Sequence, residues 1–129
     1  MQLFDIEADP THNYLPYDGT VQYYGKVIQR LAADDYFDKL MQNIAWENDQ
    51  AIIFGRKIIT KRKVAWYAEK PFIYRYSGQS KVASVFLQTL IDIKLRVEKL
   101  TGSEYNACLL NFYHSGSEGM GWHSDNEKS

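Results

Sequence analysis

The feature that most constrains the fold is a pair of strand-like runs joined by a short turn. Residues 51–54 are apolar and mostly β-branched or aromatic, and residues 58–67 form a longer run that starts with Ile58-Ile59 and ends with Val64-Ala65-Trp66-Tyr67. Residues 55–57, Gly-Arg-Lys, are typical of a tight connection between antiparallel strands. The segment therefore predicts a β-hairpin with a basic tip.

Two other stretches have the helical period, over about residues 32–46 and 83–100. Gly102 follows the second stretch as a stop signal. Residues 71–76 alternate in the manner of a strand. Residues 105–113 are apolar enough at their centre for a strand covered on both faces, with Cys108 as a small buried residue. An α+β fold in one domain, over residues 1–129, is expected.

The composition suits a folded protein in a reducing compartment. With 45% apolar and 15% aromatic residues, the 129-residue chain can build a core. Its single cysteine cannot form an internal disulfide, and no apolar run is long enough for a membrane span or a secretion signal. A cytoplasmic location without a membrane partner is expected.

The charges of the chain are unevenly distributed. Residues 56–81 carry eight basic side chains and one acidic side chain, Glu69, which gives a net charge of +7 within a chain whose total is −1. Phe54, Trp66, Tyr67, Tyr74 and Tyr76 are interleaved with these charges. A basic segment mixed with aromatic rings favours contact with nucleic acid, although a solvated hairpin face would explain the charges alone.

His123 and Asp125 place an imidazole and a carboxylate on one side of an extended segment. With one distant histidine, such a pair forms the 2-His-1-carboxylate triad of Fe(II) oxygenases, which leaves open positions on the metal. Asn111 and Tyr113 share one face of the preceding strand. The glycines between them and His123 are not followed by Lys-Ser/Thr, so a phosphate-binding loop is not indicated.

Several separated motifs resemble those of the AlkB family of Fe(II)/2-oxoglutarate dioxygenases, in their order and spacing over about residues 14–129. They resemble most closely the DNA-repair branch. The motifs are Phe54-Gly55, Lys61-Arg62-Lys63, Trp66-Tyr67, Tyr74-x-Tyr76-Ser77-Gly78, Thr101-Gly102 with Asn106, Asn111-x-Tyr113-His-Ser-Gly116, and Gly119-x-Gly121-Trp122-His123-x-Asp125-x-Glu127.

This resemblance implies a fold, a set of cofactors and a role for each matching residue. The fold would be the N-terminal part of a double-stranded β-helix (jelly roll) with two flanking helices and a nucleotide-recognition hairpin. The cofactors would be Fe(II), 2-oxoglutarate and O2, and the reaction the oxidative removal of N-methyl groups from bases in DNA or RNA. His123 and Asp125 would bind iron, and Asn111 and Tyr113 would bind 2-oxoglutarate.

The resemblance also implies a substrate-binding set. A flipped-out methylated base would be bound by Trp66, Tyr67, Tyr76 and Ser77, and Phe54 would fill the gap left in the duplex. Phosphates would be contacted by Arg56, Lys57, Lys61, Arg62 and Lys63. From the residues alone, Trp66, Tyr67 and Phe54 could instead be aromatic side chains that pack in the core or the hairpin.

One departure from the family pattern matters. A second histidine and an arginine that would hold the far carboxylate of 2-oxoglutarate are expected downstream of Asp125, and residues 126–129 contain neither. His12 and His114 do not fit the missing role by their position in the motif order. The sequence therefore predicts a chain that is inactive alone, that needs a complementing C-terminal segment, and whose strand at 105–113 lacks partners.

Two alternatives to the demethylase remain open at this point. One is a nucleic-acid-binding module without catalysis, and the other is a related Fe(II)/2-oxoglutarate hydroxylase with a different substrate. The +7 segment favours nucleic acid, because a small-molecule hydroxylase has no need of it.

Overall fold

A computed structural model of the chain describes residues 7–71, 73–76 and 79–125. Within these ranges it contains two helices and six strands, which confirms the predicted α+β class and the partial jelly-roll architecture. The elements are α1 (Arg30–Asn43), β1 (Glu47–Ile53), β2 (Arg56–Ala68), β3 (Ile73–Tyr76), β4 (Gln79–Val82), β5 (Ser84–Val85), α2 (Gln88–Thr101) and β6 (Ala107–Phe112).

Strand β2 is the centre of the main sheet. It pairs antiparallel with β1 to form the predicted hairpin, antiparallel with β6, and parallel with β5. Strands β3 and β4 form a separate two-stranded sheet. The prediction that the strand near residues 105–113 lacks partners is wrong, because β6 pairs with β2 along its whole length, from Ala68↔Ala107 to Lys63↔Phe112.

The second helix begins later than the periodicity indicated. Residues 84–85 form β5, and α2 starts at Gln88, so Phe86 and Leu87 lie before the helix although they fit its apolar face. They nevertheless pack against the core. The helix ends as predicted, because Gly102 has a φ of 71° and its backbone N–H donates to the carbonyl of Glu98.

The core lies between β2, α2 and the end of α1. Its buried members are Ile44, Ala65, Tyr67 and Leu90. Cys108 and Leu110 of β6 pack against it, whereas Leu109 between them is 46% exposed. Burial raises the pKa of the Cys108 thiol, as expected for a half-buried cysteine. The prediction that β6 is covered on both faces is wrong, because only one face packs on the core.

The chain forms two compact units, Met1–Asp38 and Lys39–Ser129. In the first unit, Asn13 holds a loop together by accepting hydrogen bonds from the backbone N–H groups of Leu15 and Val21. His12 is exposed there, as predicted. No helix among the described residues is long and apolar enough to cross a membrane.

Candidate functional site

A cavity of about 570 Å³ opens beside β6 and the glycine-rich loop that follows it. Strands β1, β2, β4 and β6 each contribute side chains to its wall. It brings together five of the residues that the sequence singled out: Arg62, Trp66, Asn111, His123 and Asp125.

The His123 ring is held in one tautomer by its own loop. Its Nδ1 lies 2.8 Å from the carbonyl oxygen of Gly121. Because a carbonyl can only accept, Nδ1 carries a proton and donates it, and in the neutral imidazole this leaves the lone pair on Nε2. That nitrogen faces Asp125, with Nε2 and Oδ1 3.5 Å apart. One cation could therefore contact both side chains.

His114 does not complete this pair. Its ring packs on Phe112, with centroids 4.5 Å apart, and its Nδ1 lies 3.1 Å from Glu118 Oε1. Phe112 alternates with Asn111 along β6, so His114 follows the face away from the cavity. Hydrogen bonding from the His114 backbone N–H, then from its ring, lowers the pKa of Glu118. Among the described residues, no group of three or more His, Cys, Asp or Glu side chains could hold a metal.

A buried ion-pair cluster lies in the wall of the cavity. Asp49 is 3% exposed, and its carboxylate accepts from Arg62 Nη2 at 2.5 Å and from Lys81 Nζ at 2.8 Å. Burial alone would raise the pKa of Asp49, but the hydrogen bond and charge of Lys81, the backbone N–H of Gln50 and the charge of Arg62 hold it below its ordinary value. Arg62 also donates, through Nη1, to the side-chain oxygen of Asn111.

This cluster corrects the role predicted for Arg62. The Arg62 side chain is 11% exposed and bonded to Asp49 and Asn111, so it is not presented to phosphates. Sequence reasoning missed Asp49 and Lys81 because neither belongs to a motif. The available signal was an acidic residue in a strand immediately before the basic segment, since a buried carboxylate needs a cationic partner.

A β-bulge sets the position of Arg62. Asn48 pairs with Lys63 but Gln50 pairs with Ile59, so β1 advances two residues while β2 advances four. The extra residues are held by the Thr60 hydroxyl, which lies 2.8 Å from the Arg62 carbonyl and 3.3 Å from the Asp49 carbonyl. Bulges re-aim side chains in this way near functional sites.

The remaining predicted residues have varied surroundings. Trp66 lines the cavity, whereas Tyr67, which follows it on β2, is 3% exposed in the core and accepts a hydrogen bond from the Ala45 N–H. The prediction that Tyr67 contacts a base is therefore replaced by a packing role. Tyr113 is exposed and lies just beyond β6. Ser77 and the Tyr76 side chain lie outside the described residues.

The hairpin tip is fully exposed. Phe54 and Gly55 connect Ile53 to Arg56, and both have positive φ angles, 50° and 73°. This is the conformation of a type I′ turn, which glycine and asparagine adopt readily but a bulky aromatic residue rarely does. Arg56, Lys57 and Lys61 nearby are exposed, and Lys63 is half-buried.

Comparison with known proteins places the chain in a family. The family model described as "2OG-Fe(II) oxygenase superfamily" matches residues 20–129. The chain belongs to this superfamily. It is 35% identical over 127 residues to a rat protein named alpha-ketoglutarate-dependent dioxygenase alkB homolog 3, a match that covers 98% of this chain and 41% of the rat protein. It is 25% identical over 124 residues to a human protein named DNA oxidative demethylase ALKBH2, covering 94% and 48%.

The chain is thus AlkB-like, and it spans less than half the length of these two relatives. The superfamily implies Fe(II), 2-oxoglutarate and O2 as cofactors. The donor set in the cavity fits them: an imidazole nitrogen and a carboxylate oxygen suit Fe(II). Asn111 supplies an amide that can donate to a carboxylate.

Proposed function

We propose that this chain supplies the iron-binding pair and the nucleic-acid-contacting hairpin of an oxidative demethylase, which removes N-methyl groups from bases in DNA or RNA. The observation that carries the proposal is one cavity whose wall contains His123, Asp125, Asn111 and Trp66. Metal ligands, an amide donor and an aromatic ring are the groups that iron, a keto acid and a base require.

Each residue has a distinct task. His123 Nε2 and the Asp125 carboxylate hold Fe(II), which together with 2-oxoglutarate and O2 supplies the oxidising chemistry. Because the side-chain oxygen of Asn111 already accepts from Arg62, its N–H groups are left to donate to a carboxylate of 2-oxoglutarate. Tyr113 would add its hydroxyl to the same ligand.

Trp66 is suited to hold the base. Its ring lines the 570 Å³ cavity that also contains the iron-binding pair, and a cavity of this size can take a nucleobase together with a small cosubstrate. A flipped base stacks on an aromatic face irrespective of its sequence context. The family resemblance would assign Tyr76 and Ser77 to the same base.

The hairpin tip is suited to occupy the gap that a flipped base leaves. Phe54 projects completely into solvent from a turn conformation that costs a bulky residue about 1–2 kcal/mol. Such cost at an exposed aromatic ring points to a task outside the fold. Arg56, Lys57, Lys61 and Lys63 would contact phosphates on either side of the inserted ring.

A second candidate is a nucleic-acid-binding module without catalysis. It is favoured by the exposed basic hairpin, which needs no metal, and by the finding that no group of three or more His, Cys, Asp or Glu side chains among the described residues could hold a metal ion.

Titration with Mn²⁺, a paramagnetic stand-in for Fe(II), distinguishes the two candidates. The demethylase predicts selective broadening of NMR signals around Asn111 and His123, weak in the chain alone, strengthened by 2-oxoglutarate and lost in His123→Ala. The binding module predicts that a methylated oligonucleotide shifts the hairpin signals while Mn²⁺ broadens nothing near the cavity. His12→Ala serves as the control, because His12 is an exposed histidine in the other compact unit.

A further inference from the structure

Asp49 is a buried carboxylate on which side chains from two other strands converge. It lies on β1, while its partners Arg62 and Lys81 lie on β2 and β4. Two cations around one carboxylate leave the cluster with a net positive charge. Such a buried group is expensive to desolvate, and a well-packed apolar group often stabilises a fold as well or better. Stability is therefore a weak explanation for its presence in the cavity wall.

We propose that Asp49 is a positioning residue, which holds the Arg62 guanidinium so that Arg62 fixes the Asn111 amide with its N–H groups directed at a carboxylate ligand. The inference rests on the proposed function, because it assigns 2-oxoglutarate, a keto dicarboxylate, as that ligand. Asp49 itself does not touch the ligand. It acts only through Arg62.

The guanidinium couples Asp49 and Asn111 because it is planar and its donors are fixed relative to one another. Nη2 donates to Asp49, and Nη1 donates to the Asn111 oxygen. When Asp49 fixes one edge of the guanidinium, the direction of Nη1 is fixed as well. Rotating the Asn111 amide by half a turn would place its N–H groups against an arginine donor, so this arrangement selects one orientation.

The backbone around Arg62 supports the same orientation. The bulge opposite Asp49 is held by the Thr60 hydroxyl, whose single O–H donates to the Arg62 carbonyl at 2.8 Å and is shared with the Asp49 carbonyl at 3.3 Å. The bulge and the ion pair thus fix Arg62 from its backbone and from its side chain. The oxygen of the Asn111 amide is thus turned towards Arg62, and its N–H groups point the other way. These donors, beside a cluster with a net positive charge, suit an anionic acceptor.

The order of the Asn111 amide tests the inference without any metal. In the ¹⁵N-labelled 129-residue chain, the heteronuclear NOE of Asn111 Nδ2 should be close to that of the backbone of β6. It should fall in Asp49→Asn, and also in Arg62→Lys, which keeps a positive charge for Asp49 but lacks the fork that reaches Asn111.

Two controls separate positioning from general stability. Asn43 Nδ2 donates to the Lys39 carbonyl within α1, and its NOE should not change in either variant. Lys81→Met removes the other cation from Asp49 but leaves Arg62 in place, so Asn111 should stay ordered. Equal loss of order at Asn43 and Asn111, or an unchanged Asn111 in Arg62→Lys, would overturn the inference. If Asp49→Asn does not fold, Arg62→Lys decides the outcome.

Titration of the same samples with metal-free 2-oxoglutarate tests the ligand. The Asn111 amide signals should shift saturably in the unmodified chain, and Arg62→Lys should weaken binding about 10-fold or more, as loss of an orienting partner commonly does. If 2-oxoglutarate produces no shift while the order of Asn111 still depends on Asp49, the positioning role stands but the assignment of 2-oxoglutarate as the ligand of Asn111 is wrong. If 2-oxoglutarate binds equally to the unmodified chain and Arg62→Lys, the inference is wrong and the proposed function stands.

Discussion

The two halves of strand β2 have similar composition and opposite surroundings. Residues 56–59 are exposed and flank the hairpin tip, whereas residues 64, 65, 67 and 68 are buried. Arg56 belongs to the exposed half, and Arg62, six residues later, is held in the cavity wall by Asp49. A run of basic residues in a sequence is therefore not one surface. The carboxylates that fold against it decide which cations face a ligand and which stabilise the site.

The largest effect is expected on the free energy of unfolding, when the ion pair that holds Arg62 in the buried half is removed. Asp49→Asn leaves Arg62 and Lys81 without their shared anion, and removing one partner of a buried ion pair typically destabilises a protein by about 3–5 kcal/mol. Urea denaturation of both proteins measures the loss. The matched control is Asp34→Asn, which removes an exposed carboxylate 3.9 Å from Arg30 and should change little. Equal effects of the two substitutions would contradict the account.

The same residue predicts a pH dependence. The pKa of Asp49 is lower in the folded protein than its ordinary value of 3.8, so its stabilising contribution is complete above that pH and is lost as the pH falls below it. Acid denaturation of the unmodified chain should therefore be steeper than that of Asp49→Asn. If the acid denaturation curves of the two proteins are equally steep, Asp49 has the same pKa in the folded and unfolded chains and this prediction is wrong.

Smaller effects are expected at the hairpin tip, where a substitution of Phe54 should raise the stability of the fold but lower the affinity for nucleic acid. Phe54→Asn creates an Asn-Gly turn, which should stabilise the hairpin by about 1 kcal/mol and weaken binding to a methylated duplex by about 1–3 kcal/mol. Phe54→Ala removes the ring but keeps a side chain at positive φ, so it should lose binding without the gain in stability. Thermal denaturation and fluorescence anisotropy measure the two quantities. Unchanged binding in both variants would remove Phe54 from the proposed interface.

The smallest effects concern single exposed cations. Arg56→Ala or Lys57→Ala should weaken oligonucleotide binding equally for all sequences, and each should reduce the slope of log affinity against log salt by about 0.7–0.9. Glu104→Gln, an exposed change far from the hairpin in sequence, is the control. An unaltered salt slope in both hairpin variants would show that the tip does not contact phosphates.

The elements that follow local rules were predictable from the sequence. The hairpin, the two helices and the pairing of imidazole and carboxylate near His123 all depend on residues close together in the chain. Tyr67 and Arg62 were misjudged for a common reason. Whether a strand residue faces the core or a ligand depends on the partner strand and its register, and here a bulge and a parallel pairing with β5 set both.

The late start of α2 has a related physical cause. Phe86 and Leu87 fit the apolar face of a helix, but residues 79–82 and 84–85 form β4 and β5, and the Phe86 N–H donates to the carbonyl of Ala68 on β2. A backbone hydrogen bond to a distant strand outweighed local helical preference. Asp49 belongs to no sequence motif, because its ion pairs with Arg62 and Lys81 form only when β1, β2 and β4 come together in the fold.

The most direct test of the central proposal is formaldehyde release from an N-methylated oligonucleotide with Fe(II), 2-oxoglutarate and ascorbate. We suggest a chimera in which this chain replaces the 127 matching residues of the rat relative. We expect turnover by the chimera, and no change in it after His12→Ala. Turnover should fall at least about 100-fold after His123→Ala or Asp125→Ala, because the metal then loses one of its ligands. A folded chimera that binds Fe(II) but releases no formaldehyde, or one whose turnover survives His123→Ala, would contradict the proposal.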